Sequence, residues 1–153
     1  LENETKKKIR NYYELHGYAS FANSVQKMLK EKLRNVTDEA EKERRTRELI
    51  DAQYSGRVLI IDEVHNIRTG SDKEVRDTIH YIELVIKYST DLKLVLLTAN
   101  PMFNQSDEIV WILNMLLLND GRPTIQLKDV FEDHDVTPKG REILEDKLLI
   151  FFY

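Results

Sequence analysis

The 153 residues are 41% hydrophobic, enough for one compact domain with a buried core and too many for a disordered tail. The formal net charge of −4 excludes a bulk electrostatic case for nucleic acid, although residues 1–50 hold 12 Lys and Arg against 9 Asp and Glu while residues 51–153 hold 11 against 18. The absence of cysteine excludes disulfides and thiolate metal sites, and the four histidines are scattered without the close pairing of zinc ligands.

"ETKKKIRNYYELHG" reads as a helix closing at Gly17, and "SFANSVQKMLKEKLRNV" as a second helix with Ser20 as its N-cap. "TDEAEKERRTRELI" opens with Thr37 and acidic residues that suit a helix N-terminus, and it is charged almost all round, as a surface helix is. The pattern then changes. "RVLIID" is a short β-rich apolar run, "DKEVRDTIHYIELVIKYS" is helical, "LKLVLLT" is a second apolar run and "SDEIVWILNMLLL" is helical again. Alternation of helices with continuous apolar strands predicts a parallel sheet buried on both faces, an α/β arrangement. The helix over 107–118 is apolar on nearly every side and must be covered on more than one face, most simply by the domain's own core. The tail "TPKGREILEDKLLIFFY" opens on a Thr-Pro helix signal.

No uninterrupted apolar run reaches the length of a membrane span, and the start "LENETKKKIR" lacks the apolar centre of a signal peptide, so the chain reads as soluble. Its first residue is Leu rather than Met, which reads as a piece of something longer or a processed product.

Ligands of parallel sheets bind beyond the carboxyl ends of the strands. Those ends carry "DEVH" and "TANP", so both unusual sequences fall on one edge. Adjacent carboxylates are costly to bury together, and a cation or solvent must relieve them. Asp62 fits a magnesium ion held partly through water, and Glu63 fits a base that takes a proton from, or orients, a water attacking a γ-phosphate. The plainer alternatives are an acidic loop after a strand, a packed or solvated histidine at His65, and an Asn-Pro turn at residues 100–101.

"LIIDEVH" resembles motif II (Walker B) of superfamily 2 helicases and translocases in its DExH form, spanning residues 58–66. "LVLLTANP", over residues 94–101, with the Leu/Trp-rich helix after it, resembles motif III of the Snf2-like branch. More narrowly, "IIDEVHNIR", "TANPMFNQSDEIVWILN" and "GYASFAN" are similar to the helicase-type ATPases of large nucleocytoplasmic DNA viruses, the group that includes the small subunit of the poxvirus early transcription factor.

The resemblance implies a RecA-like parallel-sheet motor domain with helices on both faces, preceded by a helical segment. Residues 1–136 would be the C-terminal part of a first ATP-binding domain and residues 137–153 a helical segment leading toward a second motor domain. It implies ATP and Mg2+ as cofactors, nucleic acid as partner with DNA ahead of RNA, no membrane, and a cytoplasmic location, or the virion if the source is viral. Glu63 would be catalytic, Asp62 the metal ligand, and Asp62, Glu63 and His65 the nucleotide-binding set. Thr98, Ala99 and Asn100 would couple hydrolysis to the nucleic acid, with Asn100 standing where the family usually has Thr.

The five glycines cannot form the G-x-x-x-x-G-K-[ST] loop that grips phosphates. The chain therefore reads as part of a helicase-type ATP hydrolase separated from its phosphate loop and its second motor domain, and inactive by itself. The alternative is a non-catalytic binding or scaffold module that retains half of a motor fold.

Overall fold

The computed structural model describes residues 12–67, 73–99 and 108–148. The predicted first helix falls largely outside them, and residues 13–17 within them are not helical. Gly17 does not close a helix. It precedes α1 (Tyr18–Lys32) as its N-cap with extended backbone, and its carbonyl accepts from Phe21 N at 2.9 Å, so α1 starts two residues ahead of Ser20. Helix α2 (Glu39–Tyr54) is capped by Asp38 rather than Thr37, the Asp38 carboxylate accepting from Glu41 N at 2.8 Å.

The parallel pair follows. Strand β1 (Val58–Ile61) leads through a 3-10 turn (Val64–Ile67) to α3 (Lys73–Tyr88), and β2 (Lys93–Leu96) pairs with β1 in the register Val58↔Lys93 to Ile61↔Leu96. The chain continues through α4 (Glu108–Asn119), a short α5 (Leu127–Val130), a two-residue hairpin of β3 (Phe131–Glu132) and β4 (Asp135–Val136), and α6 (Pro138–Leu148). The Thr-Pro signal is borne out: Pro138 takes the first helical position and Thr137 Oγ1 accepts from Gly140 N at 2.9 Å.

Helix α3 is the spine, because its apolar residues serve two cores. Ile82 and Ile86 pack with Ile61, Val64, Ile112 and Met115 beneath the sheet, whereas Val85 packs with Val25, Leu29 and Ile50 of α1 and α2. Helix α4 is covered on two sides by the molecule itself, Met115 entering the first core and Val110 and Leu117 joining Ile125 and Val130 in a third. Such a helix needs no amphipathic stripe, which is why its sequence shows none.

The sheet departs from expectation in one respect. Leu59, Ile61, Leu94 and Leu96 face the first core, but on the opposite face Val58 is 62% exposed, Ile60 54%, Val95 39% and Leu97 45%. Among the described residues, helices on both faces are therefore not found. A run such as "VLII" is equally apolar on both sides, so the sequence cannot reveal that one side lacks a cover.

Candidate active site

Ile61 ends β1 as a buried residue, and the chain then turns into solvent at Asp62 and Glu63. Leu97 N donates to Ile61 O at 2.9 Å and Val64 N donates to Leu97 O at 3.0 Å, so the end of β2 holds the turn by its backbone. Asp62 Oδ1 accepts from Glu63 N at 3.0 Å, and Glu63 sits at φ 49, in the left-handed region. A non-glycine residue there costs about 1 kcal/mol, and such conformations concentrate where function fixes the backbone. The doublet is thus an exposed, constrained turn at the carboxyl end of a parallel strand. The cost of two adjacent carboxylates is met by hydration, not by burial.

The 3-10 turn that follows the doublet carries the His65 side chain toward β2, where Nδ1 lies 2.8 Å from Thr98 Oγ1 and 3.4 Å from Glu63 Oε2. The imidazole is 18% exposed, so its orientation is set by packing as well as by these contacts. The fold brings together four of the predicted site residues, Asp62, Glu63, His65 and Thr98, across 33 residues of sequence between His65 and Thr98. Ala99 follows Thr98 as an exposed residue, and Asn100 lies outside the described residues, as does the Asn-Pro turn.

Tyr18 contributes to the site although no role for it is predicted from the sequence. From the first turn of α1 its hydroxyl donates to the main-chain carbonyl of Asp62 and, at 3.2 Å, to that of Glu63. Burial and, less so, the neighbouring carboxylates push the Tyr18 hydroxyl above its ordinary value, so it remains a donor. A contact spanning 44 residues has no local sequence signal; the segment "GYASFAN" was the only pointer.

Asp62 and Glu63 fit a hydrated cation better than a protein cage. Among the described residues no three His, Asp or Glu converge as a metal site, so Asp62 would supply one ligand. Magnesium commonly keeps several waters and takes one or two carboxylates together with substrate phosphates.

Residues 16–100 match the family model described as Bacterial TniB protein, a stretch that contains Tyr18, the doublet, His65 and Thr98. The chain is 30% identical over 152 residues to a protein of Acanthamoeba polyphaga mimivirus named as an ATP-dependent RNA helicase, an alignment covering 89% of this chain and 12% of that one. It is 28% identical over 141 residues to a protein of Frog virus 3 (isolate Goorha) named as a helicase, covering 92% of this chain and 13% of the relative. A helicase-named protein of Invertebrate iridescent virus 3 is 26% identical over 116 residues, covering 76% and 10%. The chain thus spans about a tenth to an eighth of the length of these viral relatives. No solved structure matches. Among the described residues no helix is long and apolar enough to cross a membrane. The chain is thus related in sequence both to the TniB family and to viral proteins named as helicases.

Proposed function

The chain belongs to the TniB family, and from that premise we propose that it carries the carboxylate half of the ATP-hydrolysing site of a nucleic-acid-dependent, helicase-type ATPase of DExH type. The observation that carries this reading is the Asp62–Glu63 turn at the carboxyl end of a parallel strand, with His65 bonded to Thr98 at the end of the neighbouring strand. Bound magnesium–ATP would supply the polarised γ-phosphate. Asp62 would hold the ion through water, and Glu63 would orient the attacking water and accept its proton at the carboxylate. His65, between Glu63 and Thr98, would pass the state of the nucleotide to the strand end that carries Thr98, Ala99 and Asn100.

The sequence contains no phosphate-gripping loop, so in this reading the amides and lysine that hold the phosphates come from residues beyond these 153. The apolar sheet face of Val58, Ile60, Val95 and Leu97 supports the same view, since a motor domain covers both faces of its sheet. Nucleic acid would be the partner, DNA ahead of RNA, and residues 137–153 would lead toward a second motor domain.

The deciding experiment is Glu63→Gln in the full-length protein. The amide keeps size and polarity and removes the proton acceptor, so nucleotide should still bind while turnover falls about 100-fold or more. Unchanged turnover would remove Glu63 from the chemistry.

A further inference from the structure

We infer that Tyr18 is a positioning residue for the Asp62–Glu63 turn, its hydroxyl clamping the two main-chain carbonyls from the α1 side while β2 holds the turn from the other. The catalytic consequence rests on the reading of Glu63 given above; the structural one does not.

The two clamps are independent in origin. On the β2 side the turn is held by backbone bonds that extend the strand ladder, Leu97 N to Ile61 O and Val64 N to Leu97 O, and by the His65–Thr98 side-chain pair. On the α1 side the anchor is one side chain. Asn66 N donates to Glu63 O at 2.9 Å, so Tyr18 is a second donor to that carbonyl and shares it with the 3-10 turn. The Tyr18 ring is itself partly buried against the core that contains Ile61, Val64 and Ile67. The hydroxyl is therefore delivered by a packed ring, and the two carbonyls of the turn are fixed relative to the core and not only to the strand.

Glu63 makes this matter. A left-handed residue has a nearby right-handed alternative, and passing to it rotates the flanking peptide planes and re-aims the carboxylate. Holding the carbonyls on either side of the Glu63 Cα opposes that rotation. A base displaced by about 1 Å loses on the order of 100-fold in rate, so a modest loosening is enough to be seen.

Tyr18→Phe keeps the ring in the core and deletes the donor. In the full-length protein, kcat should fall about tenfold with KM little changed, since a ring-preserving change leaves nucleotide contacts intact while the base is less well aimed. In the same variant, hydrogen exchange at the amides of residues 63–66 should quicken several-fold while that of β2 and α3 stays as it was. A role in folding alone would instead move all of these amides together. Unchanged exchange at 63–66 overturns the inference, whatever the activity. So does unchanged kcat in a protein whose Glu63→Gln variant has lost turnover. If Glu63→Gln keeps full turnover, the enzymatic reading fails by itself and the exchange measurement still decides the clamp.

Discussion

His65 Nδ1 lies 2.8 Å from Thr98 Oγ1, joining the turn after β1 to the end of β2 by side chains as well as by backbone. If this pair transmits the state of the nucleotide to a nucleic-acid site, Thr98→Ala should lower nucleic-acid-stimulated hydrolysis in the full-length protein about fivefold or more, with a smaller effect on the basal rate. Thr98→Ser keeps the oxygen and should restore stimulation. Equal loss of basal and stimulated rates in Thr98→Ala would assign Thr98 to the fold or to the nucleotide site instead. The comparison is a pair of phosphate-release assays, with and without DNA or RNA.

Asp62 combines two tasks that substitutions can separate. Its Oδ1 accepts from Glu63 N at 3.0 Å, a role an amide oxygen can fill, whereas holding magnesium needs the charge. Asp62→Asn should therefore leave the turn in place while raising the magnesium concentration needed for half-maximal turnover by about tenfold or more. Asp62→Ala loses both and should also disturb Glu63. A magnesium titration that coincides for wild type and Asp62→Asn would exclude Asp62 as the metal ligand.

The sequence made the chemistry legible where it was local and left it hidden where it was not. The strand runs, α3 and the "DEVH" turn follow from periodicity and composition, because each is decided within a few residues. The β3–β4 hairpin has no such local signal. Its turn places Asp133 at φ 49 and His134 at φ 69, a conformation usually announced by Asn-Gly, and its strands are two residues long. Asn114 was hidden inside an apolar helix, yet its amide donates to Ile125 O at 2.9 Å and accepts from Ile125 N at 2.7 Å, pinning the segment after α4 as a neighbouring strand would. The Tyr18 clamp depends on partners 44 and 45 residues away that only tertiary structure supplies.

Asp51 links the end of α2 to the turn before β2: it accepts from Ser55 Oγ and, at 3.0 Å, from Thr90 N. The Ser55 hydroxyl, followed by the Thr90 contacts, holds the Asp51 carboxyl below its ordinary value. A depressed carboxylate contributes stability that is fully present above its unfolded value and is lost as pH falls through its folded value. The chain should therefore lose a small part of its stability in acid, below the usual carboxylate range, and Asp51→Asn should flatten that limb. Denaturant melts at neutral and acid pH measure it, and parallel losses in both proteins would show that Asp51 does not contribute.

Gly140 tests the packing of α6 on α5. A Cβ at this position would stand 2.1 Å from Val130 O, and that carbonyl also accepts from Thr137 N at 2.9 Å. Backbone cannot yield as a flexible side chain can, so Gly140→Ala should destabilise by about 1–3 kcal/mol despite the better helix propensity of alanine. At this chain length that is a fall in Tm of about 2–12 °C. A Tm equal to or above wild type would mean α6 packs differently from the arrangement seen here.

The isolated 153 residues should hydrolyse no ATP above background, with or without nucleic acid. Positioning of the phosphates supplies more of the rate than the carboxylates do, and these residues contain no loop of the kind that grips phosphate. Their second property follows from the sheet. Val58, Ile60, Val95 and Leu97 form an apolar face open to water, and among the described residues the two-stranded sheet also leaves strand edges unpaired. Association through this face should appear in light scattering as a mass above 18.1 kDa that rises with concentration. Ile60→Lys with Val95→Lys places charge on the open face without touching Leu59, Ile61, Leu94 or Leu96, and should return the chain toward monomer while leaving its helical signal intact. Association unchanged by the two lysines would place the sticky surface elsewhere, and robust phosphate release from residues 1–153 would overturn the assignment of the doublet to half of a nucleotide site.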